Sequence, residues 1–197
     1  MIYRNTVALV LVASVEVCVA QCPCPAGCPL HVDGDISLRL PFRAPQQYPV
    51  TQGYCGVTHN PANGLAGFPV DFEMPEGTPI VAAASGWVAV IEPSGVPCGY
   101  PPMAGCPGAN GKFIRLRHQG AQFTWYTTYC HLSELSASLV VNQFVEQGTE
   151  IGLSGNTGWS TDPHLHFQIQ RDSIGGSGAR PVPMVGIEAG TPGSVIY

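Results

Sequence analysis

Short bursts of alternating apolar and polar residues, each broken by Gly, Pro or Asn, run along this chain, and no stretch sustains the period of a long amphipathic helix. The stretches GFPVDFEM, TPIVAAA, GWVAVIE, GKFIRLRH, FTWYTTYCHL, TEIGLS and HLHFQIQ each read as a strand. Only LSELSASL is compatible with a brief helix, and no fixed-period repeat is present. The pattern predicts an all-β fold with an antiparallel core. Gln21 to about Ser37 is rich in Pro, Cys and Gly and lacks periodicity, and the chain beyond Asp172 returns to Gly, Ser and Pro. The expected organisation is a leader over 1–20, a Cys/Pro-rich lead-in over 21–37, one folded domain over 38–172 and an irregular tail over 173–197 that lies against the sheet.

The stretch PHLHFQI sharpens this reading. On a strand, residues two apart share a face at roughly 6.6 Å, so His164, His166 and Gln168 look one way while Leu165, Phe167 and Ile169 pack the other. Two further strands present polar groups. In PVDFE, Asp71 faces away from the side on which Val70 and Phe72 pack. In TWYTTYCHL, His131 falls in phase with Tyr129 and Thr127, at or just past the strand end. A His-x-His pair on a strand suits a metal centre and equally suits two solvated histidines on a sheet face. Zinc takes imidazole nitrogen and carboxylate oxygen, and a catalytic site keeps three protein ligands and one open position. Such an ion acidifies water and polarises a carbonyl, which brings amide hydrolysis within reach near neutral pH. Unligated imidazoles then orient water and stabilise an oxyanion.

Composition narrows the classes. Charged residues make up 11% of the 197, against roughly 25% in ordinary soluble proteins, while 24 Gly and 19 Pro point to many turns. The net charge of -5 comes without basic runs, which disfavours nucleic-acid binding. The first residues carry Arg4, an apolar run from Thr6 to Val15 and the small Ala20, a signal-peptide pattern with cleavage after Ala20. The run is shorter than the ~20 residues of a membrane span and Glu16 interrupts it, so no stable span is expected after cleavage. Gln21 disfavours a lipid anchor on Cys22. Export to the periplasm or the exterior makes disulfides the default for the 8 cysteines, and loss of Cys18 leaves an odd number. Closure of Cys98 and Cys106 would fix the Gly/Pro-rich insert GYPPMAG. CPCPAGC reads as a disulfide-tied lead-in or as a metal knuckle.

Several motifs agree in order with one family. YPVTQGY, DFEMPEGTPIVAAASGWV, TTYCHLSEL and VEQGTEIGLSGNTGWSTDPHLHFQI resemble the lysostaphin-like (LytM-type) zinc metallopeptidases over about Leu38 to Gln170. The resemblance implies a compact antiparallel core of the duplicated-hybrid-motif type, with a groove holding Zn²⁺. It also implies an endopeptidase that cuts stem or cross-link peptides of bacterial peptidoglycan. By the same resemblance His166 is a metal ligand, His164 the unligated catalytic histidine and His131 its partner, while Asp71 matches the ligand carboxylate through the following PEGTP. The family's usual HxxxD has Gly67 at its first position here. A variant branch carries that histidine in a longer loop after a QGY segment, and QGYCGVTHNPANGLAGFPVDF resembles it, which makes His59 the third ligand.

Other residues receive plainer readings. His118, beside a hairpin turn, is expected at the surface, and His31 in the lead-in is a spectator. Trp125, Tyr126 and Tyr129 are expected in the core, and Asn156 and Trp159 either meet substrate or serve a turn. Two competing functions stand beside the enzyme: a metal-free module that binds or regulates other wall hydrolases, motivated by Gly67, and a metalloprotease acting on Gly-rich proteins outside the wall. Oligomeric state is left open.

Overall fold

The computed structural model describes Ile36, residues 38–53, His59, residues 69–171, residues 180–181 and residues 195–196. The expected leader, the Cys-rich lead-in with His31, Cys55 and Gly67 lie outside the described residues. Among the described residues twelve strands follow in order: β1 (Tyr48–Gln52), β2 (Val70–Glu73), β3 (Pro79–Val81), β4 (Gly86–Glu92), β5 (Lys112–Gln119), β6 (Thr124–Leu132), β7 (Glu134–Leu135), β8 (Phe144–Val145), β9 (Glu150–Leu153), β10 (His164–Arg171), β11 (Arg180–Pro181) and β12 (Val195–Ile196). The larger sheet runs β12-β1-β2-β10-β6-β5-β4-β8, with β11 also on β10, and a smaller sheet runs β3-β9-β7. All strand pairs are antiparallel. The fold is therefore all-β and antiparallel, as the alternation predicts. No helix among the described residues is long and apolar enough to cross a membrane.

Each strand stretch read from the sequence carries a strand, because its apolar face has a core to meet. Phe72, Ile114, Leu116, Trp125, Tyr129, Leu165 and Phe167 from the larger sheet are fully buried in one cluster with Ile80 and Ile151 from the smaller. A buried side chain of this size contributes about 1.5–3 kcal/mol from its apolar surface. Trp125, Tyr126 and Tyr129 are all buried, as expected.

Two local readings change. LSELSASL forms no helix: Ser133 N–H donates to Leu153 O and Ser136 N–H to Ile151 O, so its backbone is drawn into pairing with β9. His118 is not a surface residue but is 1% exposed. Its register partner is Trp125, so its ring faces the core rather than the turn beyond it. There Nδ1–H donates to Ser85 O at 2.9 Å, and Nε2 lies 2.7 Å from Thr127 Oγ1, which is 3.0 Å from the Tyr129 hydroxyl. A Cβ on Gly86 would come within 2.5 Å of His118 Nδ1, so the polar chain needs a glycine there.

Two bulges position the site. Between Val50 and Gln52 the register of β1 slips against β2, so Gln52 rather than Thr51 lies opposite Asp71. Between Ile114 and Lys112 the register of β5 against β6 jumps from Tyr129 to Leu132. His131, inside that jump, has φ 63°, a left-handed conformation that a non-glycine residue rarely adopts.

Candidate active site

A row of side chains crosses the outer face of the larger sheet. In register, Gln52 of β1 faces Asp71 of β2, Asp71 faces His166 of β10, and His166 faces Cys130 of β6. Alternation puts Asp71 and His166 here, because their neighbours Val70, Phe72, Leu165 and Phe167 are all fully buried on the opposite face. His166 Nδ1 lies 2.9 Å from Asp71 Oδ1. His59 reaches the same carboxylate from the long β1–β2 connection, its Nε2 3.1 Å from Asp71 Oδ2 and its ring edge-on to that of His166. His59 Nδ1–H donates to Gly53 O at 3.2 Å, which turns Nε2 to the carboxylate.

Candidate donor atoms of His59, Asp71 and His166 all lie within 4.8 Å of one another. Two imidazole nitrogens and a carboxylate oxygen, buried together, fit the three-ligand set of a catalytic zinc site. Cys130 stands in the same row outside this cluster, and burial pushes its thiol up to about 12, so it remains a neutral thiol. Burial raises the Asp71 pKa, but hydrogen bonds from His166 and then His59 outweigh it and hold the carboxyl well below its ordinary value. Burial pushes the His166 imidazole down, with Asp71 opposing.

The remaining two predicted histidines sit beside this cluster with a different set of contacts. The His131 and His164 rings are 4.6 Å apart. His131 Nδ1–H donates to Thr157 O at 2.7 Å, and His164 Nδ1–H to Asp162 O at 2.8 Å with Ser160 Oγ 3.0 Å away. Both Nε2 atoms are thereby left to accept a proton, and that of His164 stands 3.8 Å from Asp71 Oδ1. Burial, and then the charges of His164 and His166, push His131 down to about 3.

Strand phase alone would set His131 on the core side with Thr127 and Tyr129, both fully buried. The bulge and the positive φ turn it to the groove instead. The structure thus brings all five predicted residues together. It adds residues to which the sequence reading assigned no role: Gln52, Thr157, Ser160 and Tyr100. Gln52 stands in the QGY segment, Thr157 and Ser160 in the SGNTGWSTDPHLHFQI stretch and Tyr100 in the GYPPMAG insert, but none of these places told what the side chain touches.

The five residues line a groove of about 910 Å³ whose walls include Tyr48, Tyr100 and Trp159. Trp159 is 43% exposed and Tyr100 53%, so both rings are open to a ligand. Tyr100 lies in the insert between Cys98 and Cys106, which are disulfide-bonded. That insert is laced to the loop before β10: Cys98 N–H donates to Gly158 O, Gly158 N–H to Val96 O, and Trp159 N–H to Ala109 O. Gly158 has φ 76°, and a Cβ there would sit 2.3 Å from Gly111 N, so the two loops meet backbone to backbone.

Comparison with known proteins gives this geometry a context. The pattern of Peptidase family M23 matches residues 68–179. The chain is 35% identical over 124 residues to lysostaphin of Staphylococcus simulans, covering 62% of this chain and 22% of that protein. It is 32% identical over 138 residues to the peptidoglycan DD-endopeptidase ShyA of Vibrio cholerae, covering 70% of this chain and 26% of the relative. A zinc-containing peptidase from Vibrio cholerae superposes with a TM-score of 0.53 at 26% identity, covering 75% of this chain and 38% of that one. The chain spans about a quarter of the length of the curated relatives it matches.

Proposed function

The chain belongs to Peptidase family M23, and from that membership we propose that it is a zinc metalloendopeptidase hydrolysing amide bonds in stem or cross-link peptides of bacterial peptidoglycan. The observation that carries this reading is the meeting of His59, Asp71 and His166 donor atoms within 4.8 Å, beside two histidines that face them without joining them. The peptidoglycan substrate rests on likeness to relatives whose names include a peptidoglycan DD-endopeptidase. The signal-peptide pattern of residues 1–20 supports export to the periplasm or the exterior, where that polymer lies.

In this reading His59, Asp71 and His166 hold the ion. Bound there, zinc supplies a Lewis acid that polarises a peptide carbonyl and acidifies water. His164 takes up a proton at Nε2, and its Nδ1–H bond to Asp162 O fixes the tautomer that can do so. Once protonated, Nε2 donates to the leaving nitrogen. His131, held by Thr157 O, offers a second Nε2 to the same proton traffic and to an oxyanion. Trp159 and Tyr100 offer exposed rings on the groove wall for a bound peptide to pack against.

The test is a digest of purified peptidoglycan by the full chain with mass analysis of the released fragments. New amine termini within stem or cross-link peptides are expected, and none with Asp71→Ala. Release of sugar fragments with intact peptides would overturn the assignment.

A further inference from the structure

Four side chains approach the Asp71 carboxylate, His59, His166, His164 and Gln52, and the last belongs neither to the proposed ligands nor to the paired histidines. Gln52 Nε2 donates to Asp71 Oδ2 at 3.1 Å, on the same oxygen that His59 Nε2 approaches at 3.1 Å. The other oxygen faces His166 Nδ1. A carboxylate oxygen accepts and an amide nitrogen donates, so it is the Nε2 end of Gln52 that faces Asp71. The bulge between Val50 and Gln52 creates this contact. Without it Thr51 would stand opposite Asp71, and Gln52 would turn to the core face that Val50 occupies.

Resting on the zinc-site reading above, we propose that Gln52 is the positioning residue of the metal centre. Its amide fixes the plane of the Asp71 carboxylate so that the donor set is assembled before the ion arrives. A neutral amide suits this task. It adds no charge that would repel the ion, and its N–H cannot compete as a ligand. It also explains how a ligand on a long connection is tolerated. Gln52 and the adjacent Gly53 together hold two of the three proposed ligands, Gln52 through the Asp71 carboxylate and Gly53 through its carbonyl to His59 Nδ1. The end of β1 therefore acts as the outer frame of the centre. Outer partners of this kind are worth about 10- to 100-fold in metal affinity.

The experiment measures zinc affinity of the full chain by competition with a chromogenic chelator, together with the melting temperature of the chelator-stripped protein. Gln52→Leu is expected to bind zinc about 10- to 100-fold more weakly, with the zinc-free melting temperature little changed. Equal zinc affinity of Gln52→Leu and wild type overturns the inference while leaving the zinc site standing. A wild-type chain that takes up no zinc overturns the site reading and the inference with it. An equal loss of zinc-free stability and affinity would mark Gln52 as a merely structural residue and also overturn the inference. Should Gln52→Leu not fold, Gln52→Asn, which keeps the polar end and shortens the arm, reads the same affinity, and an undiminished value decides against the proposal.

Discussion

What separates the four groove histidines is the partner of each ring nitrogen. His59 and His166 each bring a nitrogen within 3.1 Å of the Asp71 carboxylate, whereas His164 Nε2 stands off at 3.8 Å and His131, with Nδ1 on Thr157 O, makes no contact of that kind. Ala substitutions should therefore fall into two groups. Asp71→Ala, His166→Ala and His59→Ala are expected to abolish stoichiometric zinc in metal analysis. His131→Ala and His164→Ala are expected to keep the metal while turnover falls by about 10²–10⁴. Loss of zinc from the second group would mean that ligand and helper are exchanged. Full zinc in His59→Ala would remove the loop histidine from the centre. Asp71 and His166 were legible in the sequence because a period of two assigns faces wherever the strand is regular. His131 was legible as a residue but not in its direction, since φ 63° breaks the period at that position.

At the level of elements, the Cys98–Cys106 insert and the loop before β10 behave as one unit. Their mutual backbone bonds hold Thr157 and Ser160, and those residues hold His131 and His164. The three proposed ligands instead hang on β2, β10 and the end of β1. Replacing both cysteines by serine should separate the two. Stability falls by about 2–3 kcal/mol for a loop of this length. Turnover falls about 10- to 100-fold as the histidines lose their seat, and zinc content stays at the wild-type value. Unchanged kinetics in a peptide-cleavage assay would mean that the insert serves only as a wall. The Gly/Pro-rich insert, with little packing of its own, suggested this disulfide, although the sequence assigned none of the cysteine pairs. Its link to His131 and His164 was not legible, because hydrogen bonds between loops 50 to 62 residues apart leave no local pattern.

For the molecule as a whole, buried histidines set the response to acid. Burial lowers the His118 pKa below its ordinary 6.5 and brings His131 to about 3. In the unfolded chain both protonate as pH drops below about 6.5. The unfolded state then binds more protons than the folded one, and stability falls with falling pH through that window. Asp71, held below 3.8 when folded, adds a loss of the same sign at lower pH. The denaturant midpoint of the zinc-free chain is expected to be flat above pH 7 and to decline steadily from pH 6.5 to pH 4. His118→Gln, which keeps a polar side chain but cannot take up a proton there, should flatten the first part of that decline. An unchanged slope would show that His118 is not involved.

Alternation of apolar residues, together with turn chemistry, determined from the sequence that this chain is an antiparallel β protein, which residues pack its core, and that Asp71, His164 and His166 face away from it. Those properties follow from residues a few positions apart, which is the range over which a strand's period acts. Only the tertiary structure decided where the period fails. Slips in pairing at Thr51 and at His131 depend on the partner strand, and they alone turn Gln52 and His131 into the groove. Likewise, only the assembled sheets bury His118 and bring His59 within 3.1 Å of Asp71 across a connection with no regular period of its own.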